Sequence, residues 1–168
     1  MRKPAELRDY LTRAHAFLAA NPEKLRTLLG EGRVIATGHP SYSHEYRYVL
    51  NLVVEGYKGA TVAIMLPLLA WLRANQPELF GNPAKRDAAL AFTVEFVSDD
   101  AMDLSIKLPL TERIIANIDP DTGQINARHA GEPPDPSLPV DAAETVRDVY
   151  MDGIQVAKLP YAGWTPSA

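Results

Sequence analysis

The sequence predicts an α+β domain: a mostly antiparallel sheet with a long central strand, two to three helices packed on one face, and a C-terminal hairpin arm. Two observations carry most of that prediction. From 42 to 54 every even position is apolar or nearly so (Tyr42, His44, Tyr46, Tyr48, Leu50, Leu52, Val54), whereas Ser43, Glu45, Arg47 and Asn51 between them are polar. A period of two sustained this long is a strand with one face in a core. Further on, Phe92, Val94 and Phe96 alternate with Thr93 and Glu95, and Leu104, Ile106 and Leu108 alternate with Ser105 and Lys107. Successive hairpins, with helical segments grouped before and between them, describe one sheet layered with helices.

The elements follow in order. Leu7, Leu11, Ala14 and Leu18 recur at three- and four-residue spacing, which predicts an amphipathic helix over 4–20 with Pro4 in its first turn. Asn21-Pro22 then caps a second helix reaching Leu29, closed by Gly30-Glu31-Gly32. A short strand over 33–38 turns at His39-Pro40-Ser41 into the long strand as an antiparallel hairpin. Gly56 and Gly59 end the long strand, and Thr61 begins a third helix running to Gln76 that offers Leu69 and Leu72 to the core. Pro67 inside it predicts a kink or a delayed start near Ile64. Asn82-Pro83-Ala84-Lys85 reads as one short helical turn.

The loop over 98–102 joins the two later alternating segments. Pro109 interrupts the second, which resumes extended over 110–118. Asp119-Pro120-Asp121-Thr122-Gly123 is a turn, with a returning strand over 124–128. The predicted core is Leu7, Leu11, Tyr46, Tyr48, Leu50, Leu52, Leu69, Leu72, Phe92, Val94, Phe96, Leu104 and Ile106.

Three regions are expected: a core domain over 1–130, a proline-rich linker over 131–141, and an arm over 142–168. The run Glu132-Pro133-Pro134-Asp135-Pro136 is semi-rigid and extended, because its prolines join neither ladder nor helix. Beyond it, 146–151 and 154–159 flank Asp152-Gly153 as a hairpin with a type I′ turn. Two strands alone are marginal in water, so this arm is expected to lie on a neighbouring subunit. Its Val149, Tyr150, Ile154 and Val156 are candidate interface residues, together with Arg47, Val49, Asn51 and Val53 on the more polar face of the long strand.

Composition excludes several classes. The chain has 168 residues, 46% hydrophobic and 23% charged, which suffices for one buried core. It has no cysteine, so disulfides, thiolate nucleophiles and Cys-based metal sites are excluded, and a reducing compartment suits it. The start MRKPAELRDYL is charged and broken by Pro4, and the longest apolar run, 62–72, is interrupted by Pro67. Neither a signal peptide nor a membrane span is expected, and the chain reads as soluble and cytoplasmic. The net charge is −4, and the basic residues Arg2, Lys3, Arg8 and Arg13 are interleaved with Glu6 and Asp9. That pattern describes a mixed solvated face and argues against coating nucleic acid.

Candidates for chemistry are sparse. His39, His44 and Glu45 are metal-binding types, but His44 and Glu45 fall on opposite phases of one strand and do not converge. Asp99, Asp100 and Asp103 cluster in a loop without the spacing or glycine of an EF-hand, and loop aspartates ordinarily cap backbone donors. Tyr42, Tyr46 and Tyr48 offer a base-stacking platform, but their shared even phase favours core packing. No phosphate-binding glycine loop or nucleophile elbow is present, and no enzyme is expected.

Several blocks resemble one family, in order: MRKPAELRDYL at the start, ATG at 36–38, YRYVLNLVVEGY at 46–57, PLLAWLRANQPEL at 67–79 and DLSIKLPLTER at 103–113. They resemble the tail completion protein R family of contractile-tailed bacteriophages and their prophages, over most of 1–130; the segment beyond the linker is not matched. The resemblance implies a structural virion protein, assembled in the host cytoplasm, that caps the head-proximal end of tail tube and sheath and prepares it for the head. By similarity to tail terminators it implies a homo-oligomeric, hexameric ring meeting tail tube, sheath and head-completion proteins. DNA would pass only transiently through the lumen, and neither membrane nor cofactor is involved. A transient tail-assembly chaperone or adaptor is the alternative, and a metal-dependent hydrolase on Asp99, Asp100 and Asp103 a more distant one.

Overall fold

The computed structural model describes residues 1–36, 38, 41–81, 83–87, 89–132 and 147–159, so His39, Pro40 and the linker from 133 lie outside it. The long alternating run folds as β2 (His44–Tyr57), beginning two residues after its pattern does; Tyr42 precedes it and is exposed. β1 (Leu25–Ala36) pairs antiparallel with one side of β2, and β4 (Met102–Ile118) with the other. On the far side of β4, β3 (Ala91–Phe96) takes the first half and β5 (Ile125–His129) the last, giving a five-stranded sheet of order β1-β2-β4-β3 with β5 off that path.

One face of the sheet is covered by helices. α1 (Lys3–Ala14) buries Leu7, Leu11 and Ala14, and the short α2 (Ala16–Ala20) buries Leu18. α3 (Val62–Asn75) buries Ile64, Leu68, Trp71 and Leu72. These meet Tyr48, Leu50, Leu52 and Val54 of β2 and Leu104, Ile106, Leu108 and Leu110 of β4 in a single cluster. Each leucine-sized side chain so buried stabilises by roughly 1.5–3 kcal/mol. Two single-turn helices, α4 (Glu78–Gly81) and α5 (Pro83–Arg86), lead into β3.

The C-terminal hairpin is β6 (Arg147–Met151) and β7 (Ile154–Leu159). Asp152 and Gly153 between them have φ of 51° and 80°, as a type I′ turn demands. β7 lies against α3 and α1 of its own chain, and the cross-strand pair Val149 and Ala157 is buried. The expectation that the arm needs a neighbour's surface is thereby corrected.

Other expectations also change. The first helix does not run through to 20: His15 is extended (φ −131°, ψ 121°) and instead caps α2, its Nδ1 accepting the Phe17 N–H. The second helix shrinks to a 3₁₀ turn, Pro22–Lys24, and Leu25, Leu28 and Leu29 join β1, because a strand as long as β2 offers a partner that outweighs a short run's helix propensity. Gly30-Glu31-Gly32 sits at a bulge in β1, where a Cβ on Gly30 would lie 3.3 Å from the Val49 carbonyl. α3 starts at Val62 rather than Ile64, with Pro67 buried inside it.

Leu69, one position off the buried stripe of α3, is exposed, as are Phe92 and Phe96. Both phenylalanines have the predicted phase, opposite Ile106 and Met102, but they lie on an edge strand that the helical layer does not cover; Val94 and Tyr46 are half-buried against the core. Pro109 does not interrupt β4. It pairs with Val49 in mid-strand, and on its other side β4 has no strand partner among the described residues between the stretches paired to β3 and β5. Thr111, of the same parity, donates its N–H away from β2 to the Gln76 side chain, so the proline nitrogen faces that gap and no ladder bond is lost.

Candidate interaction surfaces

The buried phase of β4 runs Leu104, Ile106, Leu108, Leu110, and its next step is Glu112, a carboxylate only 3% exposed. Its partners explain its place. The Tyr48 hydroxyl donates to it at 2.5 Å, and the backbone N–H groups of Arg2 and Lys3 at 2.7 and 3.3 Å. Those amides open α1, which has no side-chain cap of its own, so a carboxylate from the sheet satisfies the helix start and its dipole. Burial works to raise the Glu112 pKa, but the hydroxyl and amide donors outweigh it and hold the carboxyl below its ordinary range. Burial, with the bond to Glu112, pushes the Tyr48 phenol well up.

Beside it, the buried Lys3 ammonium donates to the Asn75 carbonyl, Gln76 Oε1 and Glu132 Oε1 at 2.5, 2.8 and 2.8 Å, which uses all three of its protons. Gln76 closes the gap in β4 through Thr111. Chain start, α3 end and sheet are thus locked by one polar joint, and the outer surfaces hang on a rigid frame. Sequence reasoning missed this joint; its one sign was a charge on an otherwise apolar phase.

Among the described residues no helix lies on the opposite face of the sheet. Glu45, Arg47, Val49, Asn51 and Val53 of β2 lie there, half-buried or exposed, flanked by Arg26, Leu28, Arg33 and Ile35 of β1 and by Ser105, Lys107 and Pro109 of β4. Signs alternate: Arg47 pairs with Glu45 at 2.5 Å and Arg26 with Glu55 at 2.9 Å. The Asn51 Oδ1 is buried without a hydrogen-bond partner among the described residues. An open groove of about 610 Å³ is lined by Glu31, Arg33, Arg47, Val49, Glu78 and Pro109 among others. The surface offers neighbouring apolar and charged contacts to a protein partner and no concentrated positive field.

Among the described residues of the main sheet β1, β3 and β5 each have one side without a strand partner; the end strands of the main path are β1 and β3. Both carry exposed apolar side chains: Leu28, Leu29, Val34 and Ile35 on β1, Phe92 and Phe96 on β3. On the hairpin, Val149 faces inward and is withdrawn from the interface candidates, Val156 is half-buried, and Tyr150, Met151 and Ile154 stand exposed near the turn.

The chemical candidates are engaged separately. Asp100 takes the Lys58 ammonium at 2.7 Å, which, with Ser98, lowers its pKa, while Asp103 accepts the Gly56 N–H. His44 contacts the Tyr42 carbonyl, and Tyr46 packs edge-on against His44 at 4.8 Å. Among the described residues no three His, Asp or Glu side chains are grouped to hold a metal, and no helix is long and apolar enough to cross a membrane.

Comparison with known proteins bears on these surfaces. The family model for P2 phage tail completion protein R (GpR) matches residues 1–133. Tail completion protein R of Escherichia phage P2 is 35% identical over 159 residues, 94% of this chain and 98% of its own length. A match of that extent passes beyond 133 into the C-terminal segment, which the sequence blocks had left unmatched. No solved structure gives a match.

Proposed function

Because the chain belongs to the P2 phage tail completion protein R family, a family of structural tail components and not of enzymes, we propose that it caps the head-proximal end of the tail tube and sheath and readies that end for the head. The protein acts there as a ring of identical subunits, hexameric by analogy with tail terminators, in contact with tube, sheath and head-completion proteins. The observation that carries this reading is the asymmetry of the sheet: one face is sealed by helices, while the other face and the outer sides of β1 and β3 stay uncovered among the described residues, with apolar side chains among their charges. A subunit that must meet a neighbour on each side and a different protein above and below has need of such surfaces. The mixed charges and a net charge of −4 leave no basic lining to hold DNA in transit.

Tails assembled without the protein test the reading. Mixed with filled heads they should form no infectious particles until the purified protein is added. Tails that join heads equally well without it would contradict the proposal.

A further inference from the structure

We propose that copies of this chain join edge to edge, β3 of one pairing antiparallel with β1 of the next, in the register that sets Arg33 opposite Glu95. The inference rests on the ring reading above and names the surfaces that close it.

Direction comes first. Along the path β1-β2-β4-β3 every neighbour is antiparallel, so β1 and β3 themselves run in opposite senses. Rotation about an axis along the strands therefore brings the next β1 antiparallel to β3 and keeps all helix-covered faces on one side. Hydrogen bonding agrees. Thr111 turns its N–H away from β2, and carrying that alternation across the paired registers leaves Gly32, Val34 and Ala36 on β1, and Phe92, Val94 and Phe96 on β3, with backbone groups aimed at open edges. These same residues share the helix-side phase.

The side chains then select the register. Phe92 and Phe96 are 57% and 76% exposed, and with Arg33 opposite Glu95 they fall opposite Ala36 and Gly32, with Val94 opposite Val34, itself 63% exposed. Two large rings meet the two smaller of the three edge-facing residues Gly32, Val34 and Ala36, and an aromatic across from an edge glycine covers the backbone it leaves bare. On the other face Ile35 meets Thr93, and Arg33 meets Glu95, neither of which has an ion-pair partner among the described residues. A two-residue slip one way sets Glu95 against Glu31, and the other way against Ile35, so charge opposes both alternatives.

The absence of cysteine makes the test direct. Arg33 and Glu95 would form a non-hydrogen-bonded pair with Cα atoms about 4.5 Å apart, within disulfide reach. Mild oxidation of full-length Arg33→Cys/Glu95→Cys should shift most of the chain from the monomer band to a series of covalent multimers. Each single variant should stay monomeric on the same gel, since head-to-tail pairing never apposes two copies of one residue. Val34→Cys/Val94→Cys, which keeps the ion pair, should behave like the first double variant even if losing the pair loosens association. No bond in either double variant, while light scattering shows the wild type to be oligomeric, gives these edges to another partner and overturns the proposal but not the ring. No bond with a wild type that stays monomeric and leaves tails unjoined overturns both.

Discussion

At Glu112 one carboxylate satisfies the Tyr48 hydroxyl and two amides of the α1 start, all from partners more than sixty residues away in sequence. Glu112→Ala leaves those donors buried and unpaired, and urea unfolding should show a loss of about 3 kcal/mol. His15 is the other titratable joint. It accepts the Phe17 N–H at Nδ1, so its neutral ring carries the proton on Nε2, which donates to the Tyr57 hydroxyl at 3.0 Å, and Tyr57 donates onward to the Ala60 carbonyl. Burial lowers the His15 pKa. As pH falls the unfolded chain therefore binds the proton first, and stability declines from about pH 6.5 downward. Glu112, its folded pKa depressed, contributes stability that is complete above about pH 4.3 and is lost as pH falls through the folded value. Both losses lie on the acid side. The urea midpoint should fall between pH 7 and 5, and His15→Asn, which keeps a capping oxygen, should flatten that first decline.

At the scale of elements, the legible parts were those whose pattern and partner coincide. β2 announces itself because its apolar phase meets α1 and α3 along its whole buried length. The stretch 25–29 reads as helix because Leu25, Leu28 and Leu29 recur at helical spacing, but five residues are too few to separate helix from strand, and only pairing with β2 decides. Phe92 and Phe96 have the phase of a core strand, yet periodicity reports which side a residue faces and not whether anything covers that side. Pro109 looked like a break because a sequence does not reveal which edge of a strand is unpaired. Its nitrogen faces the gap in β4, so Pro109→Ala should change stability by less than about 1 kcal/mol. Ile106→Pro, whose N–H is directed at β2, should cost about 3 kcal/mol or more in the same urea titration.

The whole molecule is a clamped frame with open sides. The polar joint at Lys3 and Glu112 and the leucine cluster hold helices to sheet, while the outer sides of β1 and β3 and one face of the sheet stay uncovered among the described residues. The candidate interface was only partly readable: alternation exposed Arg47, Val49, Asn51 and Val53, but the arm's docking on α1 and α3 depends on which helix surface is vacant, and no local pattern records that. Val149→Asp should free the hairpin, seen as faster protease cleavage after residue 132, with the unfolding midpoint of the main sheet little changed. A simultaneous collapse of the sheet would mean that the hairpin completes the core. A tail-completing role requires the protein to sit at one end of the tail. Immunogold electron microscopy of tails purified before head attachment should place label at one end of each tube, the end that later receives the head; label spread along the sheath, or absent from purified tails, would contradict it.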